Sequence, residues 1–452
     1  MTVPIRFSPV LAAPILAAWV ASQPAGAAVF NPETFTLSNG MQVVVIPNHR
    51  APVVTQMVWY KVGAADEPAG KSGIAHMFEH LMFKATRRRA SGEFSKIVAR
   101  NGGRDNAFTS QDYTAYHQTV ARDRLEIVMR LEADRMRGLL LKPDEIETER
   151  QVVLEERRSR TDNSPRARLS EQFNASLFLN HPYGKPVIGW AHEVKVITGK
   201  DLKEFYDKWY RPNNAILVVA GNITAKELRP LAIKHYELIP WGELPKRVRP
   251  SEPPHDAARR VVLRDASVRQ PSWRRGYLAP TLGSGEKKHV YPLQVLAQIL
   301  AGGATSRLNR GLVMDSKIAI SAGGFYDGDS MGPGGFHLFA SPRPGTTMEA
   351  LEEAVEAIIA ELVREGVTDD EVARAKRRMQ SSANYIMDSS VGGARTLGAA
   401  QASGHVIADV ESWPERIGAV TPNQIYAAAR AIFQNKNSVT GILLPAAAKE
   451  GN

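Results

Sequence analysis

Apolar positions along this chain recur with two periods: every second residue in short runs, and every three to four residues in longer ones. That pattern predicts strands alternating with helices. Two apolar runs, Phe35-Thr-Leu and Met41-Gln-Val-Val-Val-Ile, flank Asn39-Gly40, which predicts a β-hairpin. Pro52 to Val62 is a further β-rich run, with Val53, Val54, Met57, Val58 and Trp59. A loop of Gly, Pro and charged residues, Gly63 to Gly73, leads into the apolar stretch 73–83. Ser72 is placed there to cap a helix. A second helix is expected near Gly92–Asn101, then a turn at Gly102-Gly103. A strand is expected over Asp105–Thr119, its alternation running through Phe108, Tyr113 and Tyr116. Residues 122–138 read as an amphipathic helix through Leu125, Val128, Met129, Leu131 and Met136. Pro143 opens another helix to about Arg160, since proline suits a first turn and Asp144, Glu145 and Glu147 suit its positive end. Residues 164–190 read as loop-rich. A helix from Asp201 to Tyr210 and a strand at Ala215–Ala220 close this half.

The pattern then repeats. Strands are expected at Arg260–Leu263 and Ser272–Leu278, followed by a helix at 289–301. Lys142-Pro-Asp-Glu has its counterpart in Val367-Thr-Asp-Asp, each after one helix and opening the next. The fold class is therefore α+β, with two tandem homologous domains, each a mainly antiparallel sheet packed with helices. The boundaries are residues 1–28 as a leader, 29–240 as the first domain, 241–258 as a Pro-rich, charged linker and 259–452 as the second domain.

Composition adds three constraints. The 452 residues are 43% hydrophobic and 23% charged, ample for large cores. The chain has no cysteine, so disulfides, thiolate metal sites and a cysteine nucleophile are excluded. Arg6, an apolar stretch from Val10 to Val20 broken by Pro14, and Ala25-Gly26-Ala27-Ala28 have the form of a signal peptide cleaved near Ala27 or Ala28. Export without disulfides suits a bacterial periplasmic protein, with no stable membrane insertion after cleavage. The net charge of +10 includes Arg87-Arg88-Arg89 and Arg157-Arg158. These lack aromatic interleaving and any nucleic-acid motif, and read as solvated surface.

The chemistry lies in 73–83, Gly-Ile-Ala-His-Met-Phe-Glu-His-Leu-Met-Phe. On a helix His76 and His80 share a face and Glu79 sits beside them, so two imidazoles can meet one metal ion. Zinc in hydrolases takes three protein ligands and leaves one position for water. Glu156 is the best candidate for the third ligand. Glu149, two turns earlier on the same face, can orient a ligand histidine from behind, and Glu155 is a weaker choice. Glu79 is placed to take the proton of an attacking water. Manganese or cobalt could use the same ligands. His49, His117 and His181 lack such a partner and read as turn or surface residues.

His-x-x-Glu-His with Glu149 and Glu156 at this interval resembles the pitrilysin/insulinase family, closest to its short-chain, mitochondrial-processing-peptidase-like branch. Asn106-Ala-Phe-Thr, His181-Pro-Tyr-Gly and the two-half layout extend the likeness over the whole mature chain. The resemblance implies one zinc ion per chain on His76, His80 and Glu156, Glu79 as catalytic base, and a clamshell of which this chain is one half. It also implies that Asn106, Ala107 and Phe108 form an edge strand that receives an extended peptide substrate. Active relatives follow a Ser-Arg-Leu run with an arginine and, seven residues later, a tyrosine that hold substrate and stabilise the oxyanion. Here Ser306-Arg307-Leu308 is present, but those positions read Val313 and Ile320, while Arg310 and Tyr326 are out of register. The expectation is a zinc endopeptidase that works as a heterodimer with a homologous subunit carrying the arginine–tyrosine pair. The alternatives are a self-sufficient homodimer and a non-catalytic scaffold subunit.

Overall fold

The structure is a computed structural model that describes residues 29–387 and 389–446. The leader sequence, 1–28, lies outside the described residues. Among the described residues eleven strands form two sheets. The first contains β1 (Glu33–Thr36), β2 (Gln42–Pro47), β3 (Val53–Tyr60), β4 (Arg104–Thr109), β5 (Thr114–Ala121) and β6 (Ala215–Gly221), in the order β1-β2-β6-β3-β5-β4. The second contains β7 (Arg259–Asp265), β8 (Ser272–Ala279), β9 (Ala319–Tyr326), β10 (Gly334–Pro342) and β11 (Ser438–Pro445), in the order β7-β11-β8-β10-β9. Without β1, the two orders superpose strand for strand. In each sheet one pair is parallel, β2 with β6 and β7 with β11, and the others are antiparallel. The repeat expected from the sequence is therefore present as topology, and β4 and β9 are its equivalent edges.

The first hairpin forms as expected, with Phe35 opposite Val43 and Gly40 at φ 86°, a conformation favourable only to glycine. Its strands, with β3 and β6, alternate buried faces. Val43, Val45, Val54 and Val58 point into a core under α1 (Ile74–Leu81), α2 (Glu93–Arg100) and α3 (Leu125–Gly138). Next come α4 (Pro143–Arg157), which continues as a wider turn through Arg158–Asp162, and α5 (Pro165–Leu177).

Two expectations about local structure are corrected. The run 105–119 is not one strand but the hairpin β4–β5, reversed at Ser110–Tyr113, where Ser110 N–H donates to Tyr113 O at 2.8 Å. The alternation continued through a polar turn, Ser-Gln-Asp, and concealed it. Residues 164–190 are not mainly loop, because 165–177 form α5. Ser164 Oγ accepts from Ala167 N–H, Pro165 fills the first turn, and Leu169, Phe173 and Leu177 make a buried stripe at four-residue spacing.

That stripe packs on the second sheet, not the first. Leu169 meets Val268 and Leu443, and Phe173 and Leu177 meet Val439. The reciprocal contact comes from helix Ser390–Ala402, whose Ala394, Leu397 and Ala402 cover Val44, Met57, Trp59, Ile216 and Val218 on the outer face of the first sheet. Each half thus lends a helix to the other's sheet. Gly398 permits the closest approach, since a Cβ there would lie 2.2 Å from the Trp59 ring. The segment 240–258 has no helix or strand, yet it is tied down: Arg247 and Arg249 pair with buried Asp66, and Arg249 also pairs with Asp112.

Candidate metal centre

α1 is buried on the side that carries Ile74, Ala75, Met77, Phe78 and Leu81, and this burial holds it rigidly against the sheet. Ser72 does not cap it. Gly73 occupies the cap position at φ 94°, and the Glu67 carboxylate accepts from Gly73 N–H at 3.0 Å and Ala75 N–H at 2.9 Å. An acid at the positive helix end satisfies two otherwise orphaned donors. Ser72 Oγ instead accepts from Trp190 N–H at 2.9 Å.

Five side chains singled out from the sequence, His76, Glu79, His80, Glu149 and Glu156, converge here. His76 Nε2 lies 3.7 Å from Glu156 Oε2, and His80 Nε2 lies 3.2 Å from the same oxygen. One ligand atom from each of His76, His80 and Glu156 falls within a mutual 4.8 Å. Tetrahedral ligands at ~2.0–2.1 Å from zinc stand about 3.3 Å apart, so this nitrogen–nitrogen–oxygen set suits that ion. His76 is 7% exposed and its Nδ1 is buried without a hydrogen-bond partner. Burial, then His80 and Arg160, lower its pKa to about 3, so it is a neutral imidazole able to donate a lone pair.

Glu149 Oε2 sits 3.2 Å from His80 Nδ1, the position from which it orients the ring, and Lys84 pairs with its other oxygen. Burial pushes His80 down, but Glu149 and Glu156 outweigh it and the net shift is upward. Arg160 Nη1 reaches Glu156 Oε1 at 2.5 Å, which leaves Oε2 for the histidines. Glu155 points elsewhere, exposed and paired with Arg158.

Glu79 stands beside the trio, and Thr109 Oγ1 donates to its Oε2 at 2.7 Å. Burial raises the Glu79 pKa, with Thr109 acting against it. Thr109 ends β4, so the edge strand and the acid are linked directly. On β4, Ala107 faces the core beneath α1, whereas exposed Asn106 and half-buried Phe108 face the other side. Phe108 packs edge-on against Trp59 under helix Ser390–Ala402, with Arg395 over its ring. Among the described residues β4 has one neighbour, β5, so its outer edge is unpaired there.

Lining the two halves up on their repeat puts Val295, Gln298 and Ile299 opposite His76, Glu79 and His80, and Ser382 opposite Glu156. Helix Val290–Ala301 presents Val295 and Ile299, both buried, and Gln298 Nε2 donates to Gly302 O. Ser382 lies exposed on helix Asp369–Met387. Val313 packs at the edge of the second core, and Ile320 is 47% exposed on β9. Tyr326 donates to the Pro280 carbonyl, and Arg310 is an exposed side chain 3.5 Å from Asp315. Arg307 is chelated by Glu371.

Other readings change. His181 is buried, with its ring 4.3 Å from that of Tyr183, rather than at the surface. Arg157 is buried and bonds Glu171 and Gly189 O, tying α4 to α5, so it is not part of a solvated cluster. Sequence reasoning missed Thr109, Lys84, Arg160 and Glu67. Thr109 and Lys84 carried a signal, since they lie within or just after motifs already singled out.

Comparison with known proteins gives a consistent answer. Residues 42–190 match the insulinase family, peptidase family M16, and residues 197–379 match its inactive-domain description. The chain is 36% identical to the zinc protease PqqE of Helicobacter pylori over 360 residues, 78% of this chain and 79% of that protein. It is 30% identical to an uncharacterised zinc protease of Mycobacterium leprae, over 92% of each. A solved protease from Helicobacter pylori superposes with TM-score 0.84 at 33% identity, covering 92% of this chain and 99% of that one. The periplasmic protease PqqL of Escherichia coli shares the fold, with TM-score 0.77 at 20% identity, and the chain spans 47% of its length. With the repeat, the His-x-x-Glu-His helix and the convergent glutamate in place, this chain is a member of the insulinase family of zinc proteases, peptidase family M16.

Proposed function

We propose that this chain is the zinc-bearing subunit of an exported metalloendopeptidase that cleaves peptides or unfolded segments. The observation that carries this reading is the meeting of His76, His80 and Glu156 within 4.8 Å, with Glu79 and an unpaired strand edge beside them. His76, His80 and Glu156 hold the metal, and Glu149 fixes the His80 ring. Bound zinc lowers the pKa of a water and polarises a carbonyl. The peptide adds to the outer edge of β4 at Asn106, Ala107 and Phe108 by main-chain hydrogen bonds. Glu79 takes the proton of the attacking water and delivers it to the leaving amine, with Thr109 holding the carboxylate in place.

The oxyanion needs donors from elsewhere, because Val313 and Ile320 have none, Tyr326 is bonded to the Pro280 carbonyl and Arg310 is out of register. A homologous subunit with an arginine–tyrosine pair supplies them in a heterodimer. Export to the periplasm is supported by the pattern of residues 1–28, and among the described residues no helix is long and apolar enough to cross a membrane. The test is peptide turnover by the purified chain alone and mixed with such a homologue. The expected result is little turnover alone and strong gain on mixing; full turnover by the lone chain contradicts the division of labour.

A further inference from the structure

The loop after α1, helix α3 and the segment ending at Pro240 enclose a surface cavity of about 380 Å³. Its lining sets Arg87, Arg88, Arg130, Arg137 and Lys234 against a single carboxylate, Asp134. Asp134 is already engaged by Thr86 Oγ1 at 2.6 Å. Lys234 has Glu126 at 2.6 Å, and Arg137 reaches Asp207 only at 3.5 Å. Arg88 is 3.8 Å from Asp134 with its side chain 78% exposed. Arg87 and Arg130 make no ion pair with any described carboxylate. Such converging guanidinium groups fit phosphate oxygens.

A second observation identifies the source of the phosphate. Leu238, which lines the same cavity, is 89% exposed, and Trp241 just beyond it is 64% exposed. Leu238 thus stands in water beside the cations, and Trp241 follows three residues further along the chain. A free phosphate accounts for the arginines but gives Leu238 and Trp241 nothing to contact. A bilayer surface accounts for both, since lipid phosphates attract the arginines and leucine and tryptophan enter the headgroup layer.

We propose that this face is a peripheral docking site for an anionic phospholipid surface, with Arg87 and Arg130 on lipid phosphates and Leu238 and Trp241 in the headgroup layer. The site uses no residue of the metal centre and does not depend on the peptidase reading.

The test is sedimentation of the chain starting at Val29, which contains every described element, with vesicles of phosphatidylcholine alone or mixed with phosphatidylglycerol. Binding is expected only to the mixed vesicles, and it should fall as salt rises. Arg87→Glu/Arg130→Glu should weaken it by about thirtyfold or more, taking the usual contribution of each cation at such a surface. Leu238→Ser/Trp241→Ser should weaken it with less change in salt dependence. Thermal melts and zinc content of both variants should match the parent. Absence of vesicle binding, or unchanged binding by the charge-reversed variant, overturns the proposal. So does tight binding of pyrophosphate without vesicle binding, which would make the cavity a soluble-phosphate site.

Discussion

α1 and helix Val290–Ala301 occupy equivalent places, each between the third and the edge strand of its sheet's repeat, yet they bury opposite chemistry. The first sets His76 and His80 where the second sets Val295 and Ile299. The second half folds around this position with apolar side chains alone, so the fold does not need the imidazoles. Burying His76 without metal is a cost, visible in its orphaned Nδ1 and lowered pKa. The difference teaches that the scaffold stands without the first half's polar groups, as the metal-site proposal requires.

The largest effect should come from the acid beside the trio. Glu79→Gln is expected to lower peptide turnover about 10²–10⁴-fold, the usual loss for a general base, while zinc content is unchanged. Metal analysis alongside a peptide assay of the assembled enzyme checks both halves of that statement.

The helices lent across the halves are the next target. Leu397→Ala should cost about 2–5 kcal/mol by opening a cavity over Trp59, read by denaturant unfolding. An effect below about 1 kcal/mol would mean that helix Ser390–Ala402 is not holding the first sheet.

The second half offers a pH test free of the metal centre. Burial raises the pKa of Glu371, but Arg307 and the Thr368 N–H outweigh it and bring it to about 2, below the ordinary 4.5. A depressed carboxylate contributes its full stabilisation above its unfolded pKa and loses it as pH falls through the folded one. Glu371→Gln should therefore be about 1–3 kcal/mol less stable at neutral pH, the gap closing between about pH 5 and 2. Urea unfolding across that range would show a constant gap if the pair contributes no charge interaction.

Copying the second half's chemistry into the first sharpens the comparison most finely. His76→Val should be about 1–2 kcal/mol more stable than the metal-free parent, because it removes a buried imidazole whose Nδ1 lacks a partner, while His80 keeps its bonds to Glu149 and Glu156. Lower stability in a metal-free melt would show that the imidazole serves the fold.

Much of this was legible because the signals were local. His76, Glu79 and His80 lie within one helical turn and a half, and period alone puts them together. Glu156 and Glu149 were reachable through the spacing of one more helix. The contacts that were missed cross between elements. Glu67 caps α1 from across the Pro68–Ser72 loop, and Thr109 meets Glu79 only because β4 runs along α1. The exchange of α5 and helix Ser390–Ala402 was hidden for the same reason. An apolar stripe such as Leu169, Phe173 and Leu177 says that a face is buried, not which sheet buries it. The misread of α5 was a different failure, since Ser164-Pro165 and the four-residue spacing were available in the sequence.

The central claim is that one metal ion sits between α1 and α4. Its most direct test is zinc titration of the chain and of Glu156→Gln, monitored by metal analysis after dialysis, with circular dichroism to show that both are folded. One zinc per parent chain, and its loss from the folded variant, is the predicted result. Equal zinc retention by Glu156→Gln would contradict the account.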